Sequence, residues 1–214
     1  AADVNTTGTG HVAIGTNALG ANTTGNYNTA VGQNALAGIT TASESTAVGY
    51  RALTGAVTGI RNQAFGTEAM VATTSGADNA AVGKSALQNN TSGSYNTGIG
   101  NYALKSNTTA SNNTALGYYA LQTNTTGAGN TAIGINAGND VTTGSNNFFI
   151  GHGAGTASGP GGAPGGAITT GSNEGTLGNG DTTTINTQVS ISAASDARDK
   201  TDFKPLSAGL NFVN

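Results

Sequence analysis

The sequence predicts an all-β protein, a parallel β-solenoid or β-roll of about ten 17-residue turns. The first observation behind this is a motif at fixed spacing. Ala13-Ile14-Gly15 returns as Ala30-Val31-Gly32, Ala47-Val48-Gly49, Ala64-Phe65-Gly66 and Ala81-Val82-Gly83, and continues to Phe149-Ile150-Gly151, eight consecutive intervals of seventeen residues. A period of this size marks units that bury their apolar faces only by stacking on one another. The second observation is the spelling of the unit, which mixes glycines with β-branched Thr, Val and Ile. Each glycine inside a helix costs about 1 kcal/mol relative to Ala, and the period is too short for a helix pair with its turns, so an α-solenoid is excluded. The third is composition. Only 8% of residues are charged and the net charge is −3, whereas disordered chains of low hydrophobicity carry high net charge.

Counting from the motif Ala as position 1, position 2 is always apolar, position 3 is Gly, and position 6 is Ala in nine successive units. Position 7 is Leu or Met from Leu19 to Leu121, then Gly138 and Gly155. Two short strands per turn fit this pattern, one around N-T-A-[IV]-G and one around A-L. The Gly at position 3 suits a positive φ or a close approach of two backbones. Asn at position 16 suits a turn in which its side chain bonds nearby backbone, with an amide ladder between stacked turns as the alternative. Position 15 varies most (Tyr27, Glu44, Arg61, Asp78, Tyr95) and is expected to face outward. Side chains alternate along a strand, so Ala-Ile and Ala-Leu are apolar on both faces. The expected arrangement is a large-residue face lining the coil and a small, Ala-lined face packed on a symmetric partner, hence a homo-oligomer, with Ala merely tolerating a tight bend as the alternative.

The beat stumbles once. Thr176-Leu177-Gly178 reads as a tenth unit but follows Phe149 by 27 residues. The ten additional residues fit the Gly/Pro-rich stretch 157–166, ASGPGGAPGG, which cannot sustain a strand. Its residues Ala157, Ser158, Gly159, Pro160, Gly161, Gly162, Ala163 and Pro164 form a candidate exposed binding loop, with a tolerated insertion as the alternative. The shaft therefore spans 1–180. Residues 181–194 alternate like connecting strands, and 195–214 form a separate charged module.

Several function classes are disfavoured. Seven Lys and Arg residues without clustering give no nucleic-acid footprint. No apolar run reaches the roughly 20 residues of a membrane-spanning helix. With no cysteine, and with His11 and His152 far from other ligands, no metal and no cofactor is expected. The opening AADVNTTG has neither an initiator Met nor a signal peptide and reads as an internal or processed start. The aromatics Tyr27, Tyr50, Tyr95, Tyr102, Tyr118 and Tyr119 suit either stacking on sugar rings or covering the stem.

The repeats N-T-A-[IV]-G-x-x-A-L over about residues 5–178 resemble the head repeats of trimeric autotransporter adhesins. That resemblance implies a β-roll with three chains side by side, a homotrimer. The tail SDARDKTDFKPL resembles the opening of the intramolecular chaperone domain found at the C-termini of phage tail fibres, tailspikes and endosialidases. This second resemblance implies a trimerising domain that releases itself through a Ser–Lys dyad, with Ser195 as nucleophile and Lys200 as base. Such a dyad is incomplete in these 214 residues and acts only within a full-length parent.

Together these imply a structural, adhesive fibre rather than an enzyme on external substrates. The reading is a trimeric phage tail-fibre shaft or tip, located on the virion and extracellular. Its partners are the other two copies, other virion tail proteins and a host cell-surface receptor, a glycan among the options; no nucleic acid and no membrane insertion is expected. The alternatives are a cellular adhesin head, an ice-binding solenoid, and a glycan-degrading tailspike, which needs a carboxylate pair that the repeats lack.

Overall fold

The computed structural model describes residues 2, 4–157 and 168–179. Among these residues lie ten three-residue strands: β1 (Val12–Ile14), β2 (Thr29–Val31), β3 (Thr46–Val48), β4 (Gln63–Phe65), β5 (Ala80–Val82), β6 (Thr97–Ile99), β7 (Thr114–Leu116), β8 (Thr131–Ile133), β9 (Phe148–Ile150) and β10 (Gly175–Leu177). They form one parallel sheet in the order β1 to β10, each strand pairing with the next turn's equivalent. Ala13 faces Ala30, Ala30 faces Ala47, and so on along the stack. The fold is the parallel β-solenoid expected from the period, and no helix occurs among the described residues.

Each turn contains one strand rather than two. The A-L segment is a turn, because the residue at position 7 is left-handed, with φ between 50° and 56° from Leu19 to Leu121. A left-handed residue breaks the alternation of side chains, so Ala and Leu both point inward: Ala18, Leu19, Ala35 and Leu36 are fully buried. The backbone conformation costs about 1–2 kcal/mol at a non-glycine residue. Burying a Leu side chain returns about 1.5–3 kcal/mol, which offsets it. The Leu amide is also used, with Leu19 N donating to Ala35 O at 2.9 Å and Leu87 N to Ala103 O at 3.0 Å.

The two-faced strand is present, but its faces are the reverse of the expected ones. The Ala column (Ala30, Ala47, Ala64, Ala81, Ala115, Ala132) fills the interior of the coil, and the larger position-2 residues point outward. Leu from the opposite wall already occupies the core, leaving room only for a methyl group from the strand. Ala86 and Ala103 are likewise core residues.

Glycine at position 3 meets both of its expected conditions. Gly83 has φ 127°, and a Cβ placed on it would lie 2.6 Å from the carbonyl carbon of Gly100 in the next turn. The Asn column at position 16 is an inter-turn ladder and not turn chemistry alone. Asn96 Nδ2 donates to Ala110 O at 2.8 Å and to Asn79 Oδ1 at 3.1 Å, and Asn96 Oδ1 accepts from Asn113 N at 3.0 Å. These residues are buried, so their amide groups need partners, and stacking in register supplies them. A second Asn column at position 10 links Asn107 Nδ2 to Asn90 Oδ1 at 2.9 Å.

The 27-residue interval keeps the same register. Gly175 pairs with Phe148, Glu174 N donates to Asn147 Oδ1 at 2.8 Å, and Thr142 Oγ1 donates to Thr169 O at 3.1 Å. The additional residues therefore fall between Thr156 and Ile168, leaving the stack itself uninterrupted.

Candidate interaction surface

Most of the sequence-derived site residues fall outside the described residues. Ser158, Gly159, Pro160, Gly161, Gly162, Ala163 and Pro164 do, as do Ser195, Lys200 and the connecting segment 181–194. Of the candidate loop only Ala157 is described; it is exposed, and its amide donates to Asp140 Oδ2 at 2.9 Å.

His11 takes the place of Asn in the position-16 column. Its Nδ1 accepts from Asn28 N at 3.3 Å, and its Nε2 lies 3.3 Å from Asn22 Nδ2. It therefore continues the ladder rather than standing free as a ligand. His152 is exposed. Among the described residues no His, Asp and Glu side chains gather into a metal-sized cluster.

Three surfaces remain. The first is the outward side of the sheet. Parallel pairing aligns Ile14, Val31, Val48, Phe65, Val82, Ile99, Leu116, Ile133, Ile150 and Leu177 into a single file. Eight of the ten are between 39% and 59% exposed. Two positions earlier, on the same face, lie Val12, Thr29, Thr46, Thr97, Thr114, Thr131 and Phe148. The result is a largely apolar strip, with side chains about 4.8 Å apart along it.

The second surface is the Thr column at position 11. Its hydroxyls are spent within the fold: Thr74, Thr91, Thr108 and Thr125 each donate to the corresponding Thr carbonyl of the next turn at 3.0 Å. Outward-facing position 15 behaves as expected, with Tyr27 and Tyr95 well exposed. It also carries an ion pair between turns. Arg61 Nε and Nη2 grip Asp78 at 2.6 and 3.0 Å. This fork lowers the Asp78 pKa and raises that of Arg61, in both cases chiefly through the hydrogen bond.

The third is an aromatic and cationic cluster at the corner beyond the position-3 glycines. Backbone bonds stack this corner, with Tyr102 N donating to Lys84 O at 2.9 Å and Tyr119 N to Asn101 O at 3.1 Å. The Tyr102 and Tyr119 rings stack with centroids 5.1 Å apart and an interplanar angle of 27°. Tyr118 tilts against Tyr119 at 4.0 Å and meets Tyr102 edge-on at 6.2 Å. Lys84 Nζ and Lys105 Nζ lie 5.9 and 5.4 Å from the Tyr102 ring centre. A hydrogen bond with Tyr119 holds the Tyr118 phenol above its ordinary pKa. Sequence reasoning treated these tyrosines as scattered. The available signal was the spacing of Tyr102 and Tyr119, one full period of 17 residues, which stacking converts into contact.

Compared with known proteins, the chain matches no protein-family model, no curated protein and no solved structure.

Proposed function

We propose that the chain is a segment of a homotrimeric extracellular fibre, a phage tail-fibre shaft or tip used for host-surface attachment. The observation that supports this best is the apolar file from Ile14 to Leu177. Soluble monomers rarely expose contiguous apolar patches beyond roughly 300–600 Å². A file that climbs the whole stack without a charged residue is suited to another copy of itself. Identical chains set side by side about a symmetry axis bring the same file together from each copy. The resemblance to three-chain adhesin heads favours three copies. The resemblance of the tail to a self-releasing chaperone favours a virion fibre over a cellular adhesin, with Ser195 and Lys200 acting in a full-length parent.

An ice-binding role is less well supported. The outward strand face carries Gln63, Phe65 and Phe148 among its Thr and Val residues, which breaks any regular flat array. The position-11 hydroxyls are already engaged within the fold.

Ile99→Glu and Ile133→Glu place charges in the file without touching the core. Sedimentation of each should show dissociation to folded single chains. Unchanged assembly in both would overturn the proposal that this face joins the copies. Cleavage beside Ser195 in the full-length parent, abolished by Ser195→Ala, tests the fibre-assembly part separately.

A further inference from the structure

We infer that Tyr102, Tyr118 and Tyr119, together with Lys84 and Lys105, form a binding subsite for an acidic polysaccharide, a sugar chain bearing carboxylate groups. The inference rests on the adhesive reading above and names the class of surface ligand. Three tyrosines from two successive turns converge at one corner, with Tyr118 well exposed and Tyr102 and Tyr119 half-buried. Phenol rings offer an apolar face for the C–H face of a pyranose and a hydroxyl for its polar rim. Rings that stack on each other are already ordered, so less side-chain freedom is lost on binding.

The charge of the patch selects among sugars. Arg51 pairs with Glu68 and Arg61 with Asp78, but neither Lys84 nor Lys105 has an acidic partner among the described residues. Both ammonium groups instead sit beside the Tyr102 ring, on a chain whose overall charge is negative. Two uncompensated cations flanking an aromatic platform match a ligand that alternates apolar ring faces with carboxylates. Single-stranded nucleic acid shares part of this chemistry, but it requires a basic groove tracking the backbone and rings free to receive bases. Here, among the described residues, only Lys84 and Lys105 flank the rings, too few cations to track a phosphate backbone.

Several variants leave the fold intact because the repeat itself supplies the replacements. Position 5 is Asn at Asn17, Asn34 and Asn136, so Tyr102→Asn and Tyr119→Asn are native-like there. Position 4 is Asn at Asn101, so Tyr118→Asn is equally conservative. Lys84→Gln and Lys105→Gln remove the charges, and Lys84→Arg keeps one.

The experiment is calorimetric titration of the 214-residue protein with oligogalacturonate, a dextran oligomer of matched length, polyglutamate and oligo-dT, alongside sedimentation of every variant. The expected result is binding to oligogalacturonate that exceeds the other three probes. Tyr102→Asn and the double Lys→Gln variant should each lose about tenfold in affinity. Lys84→Arg should retain it, and added salt should weaken it. Equal binding to dextran or polyglutamate, tighter binding to oligo-dT, or undiminished oligogalacturonate binding in the Tyr and Lys variants would each overturn the inference. So would tyrosine variants that change the sedimentation but not the titration, since the cluster would then serve chain–chain contact. A single-chain species that still binds oligogalacturonate would refute the trimer and leave the subsite standing.

Discussion

The ring of Phe149 occupies the space that residue 138 would need for a side chain. A Cβ placed on Gly138 would lie 2.7 Å from Phe149 Cδ2, and one on Gly155 would also collide with the same ring. Phe149 replaces the strand Ala, and Gly138 and Gly155 replace the inward Leu of their turns. One large residue from the sheet side thus substitutes for two from the opposite wall. Gly138→Leu alone should overpack the core, and Phe149→Ala alone should leave a cavity costing about 3–5 kcal/mol. The triple variant Gly138→Leu, Gly155→Leu, Phe149→Ala restores the consensus unit. It should recover most of that loss, giving strong positive coupling in thermal melts.

Gly83→Ala places a methyl group against the Gly100 backbone at a residue whose φ of 127° disfavours any side chain. Loss of about 3 kcal/mol or more is expected, since steric overlap and backbone strain add. Chemical unfolding measures it. Gln33→Ala, at an exposed site one residue beyond the equivalent glycine, should change little.

The buried amide ladder gives two opposed expectations. Asn96→Ala orphans the buried Asn113 N, leaves Ala110 O with only its bond from Asn107 Nδ2, and should cost about 1–3 kcal/mol. Asn96→Ser should cost less, because Ser45 already serves in that column, accepting from Asn62 N at 3.3 Å. Thr73 lies in the other Asn column with its buried Oγ1 unpaired, and Ile39 and Val141 fill equivalent slots. Thr73→Val should therefore stabilise by about 1 kcal/mol. Melting temperatures of the three variants should fall on opposite sides of the parent.

The Arg61–Asp78 fork predicts a small acid dependence. The Asp78 pKa is lowered by folding, so its contribution is complete above the unfolded carboxylate value near about 3.9. It is lost as pH falls through the lower, folded value. Stability measured at low salt should therefore be insensitive to this pair near neutrality and fall only in acid. Asp78→Asn should remove that part of the slope, and salt should shrink it.

The period, the strand at positions 17 to 2 and the glycine after it were legible because each follows from local chemistry repeated in register. The facing of the strand was not. Alternation shows that Ala64 and Phe65 point opposite ways, but the choice of inward side depends on Leu53 and Met70 filling the core from across the coil. Leu53 and Met70 could not be placed by alternation either, because a left-handed residue after Ala keeps both side chains inside. The tyrosine corner needed one further step, combining the spacing of Tyr102 and Tyr119 with stacking that is parallel and in register.

The central claim is that the file from Ile14 to Leu177 is covered by other copies of the chain. Sedimentation equilibrium of the purified protein tests it most directly. The expected result is a single species of three times 20.7 kDa, stable on dilution. A folded, soluble species of 20.7 kDa at all concentrations would contradict it.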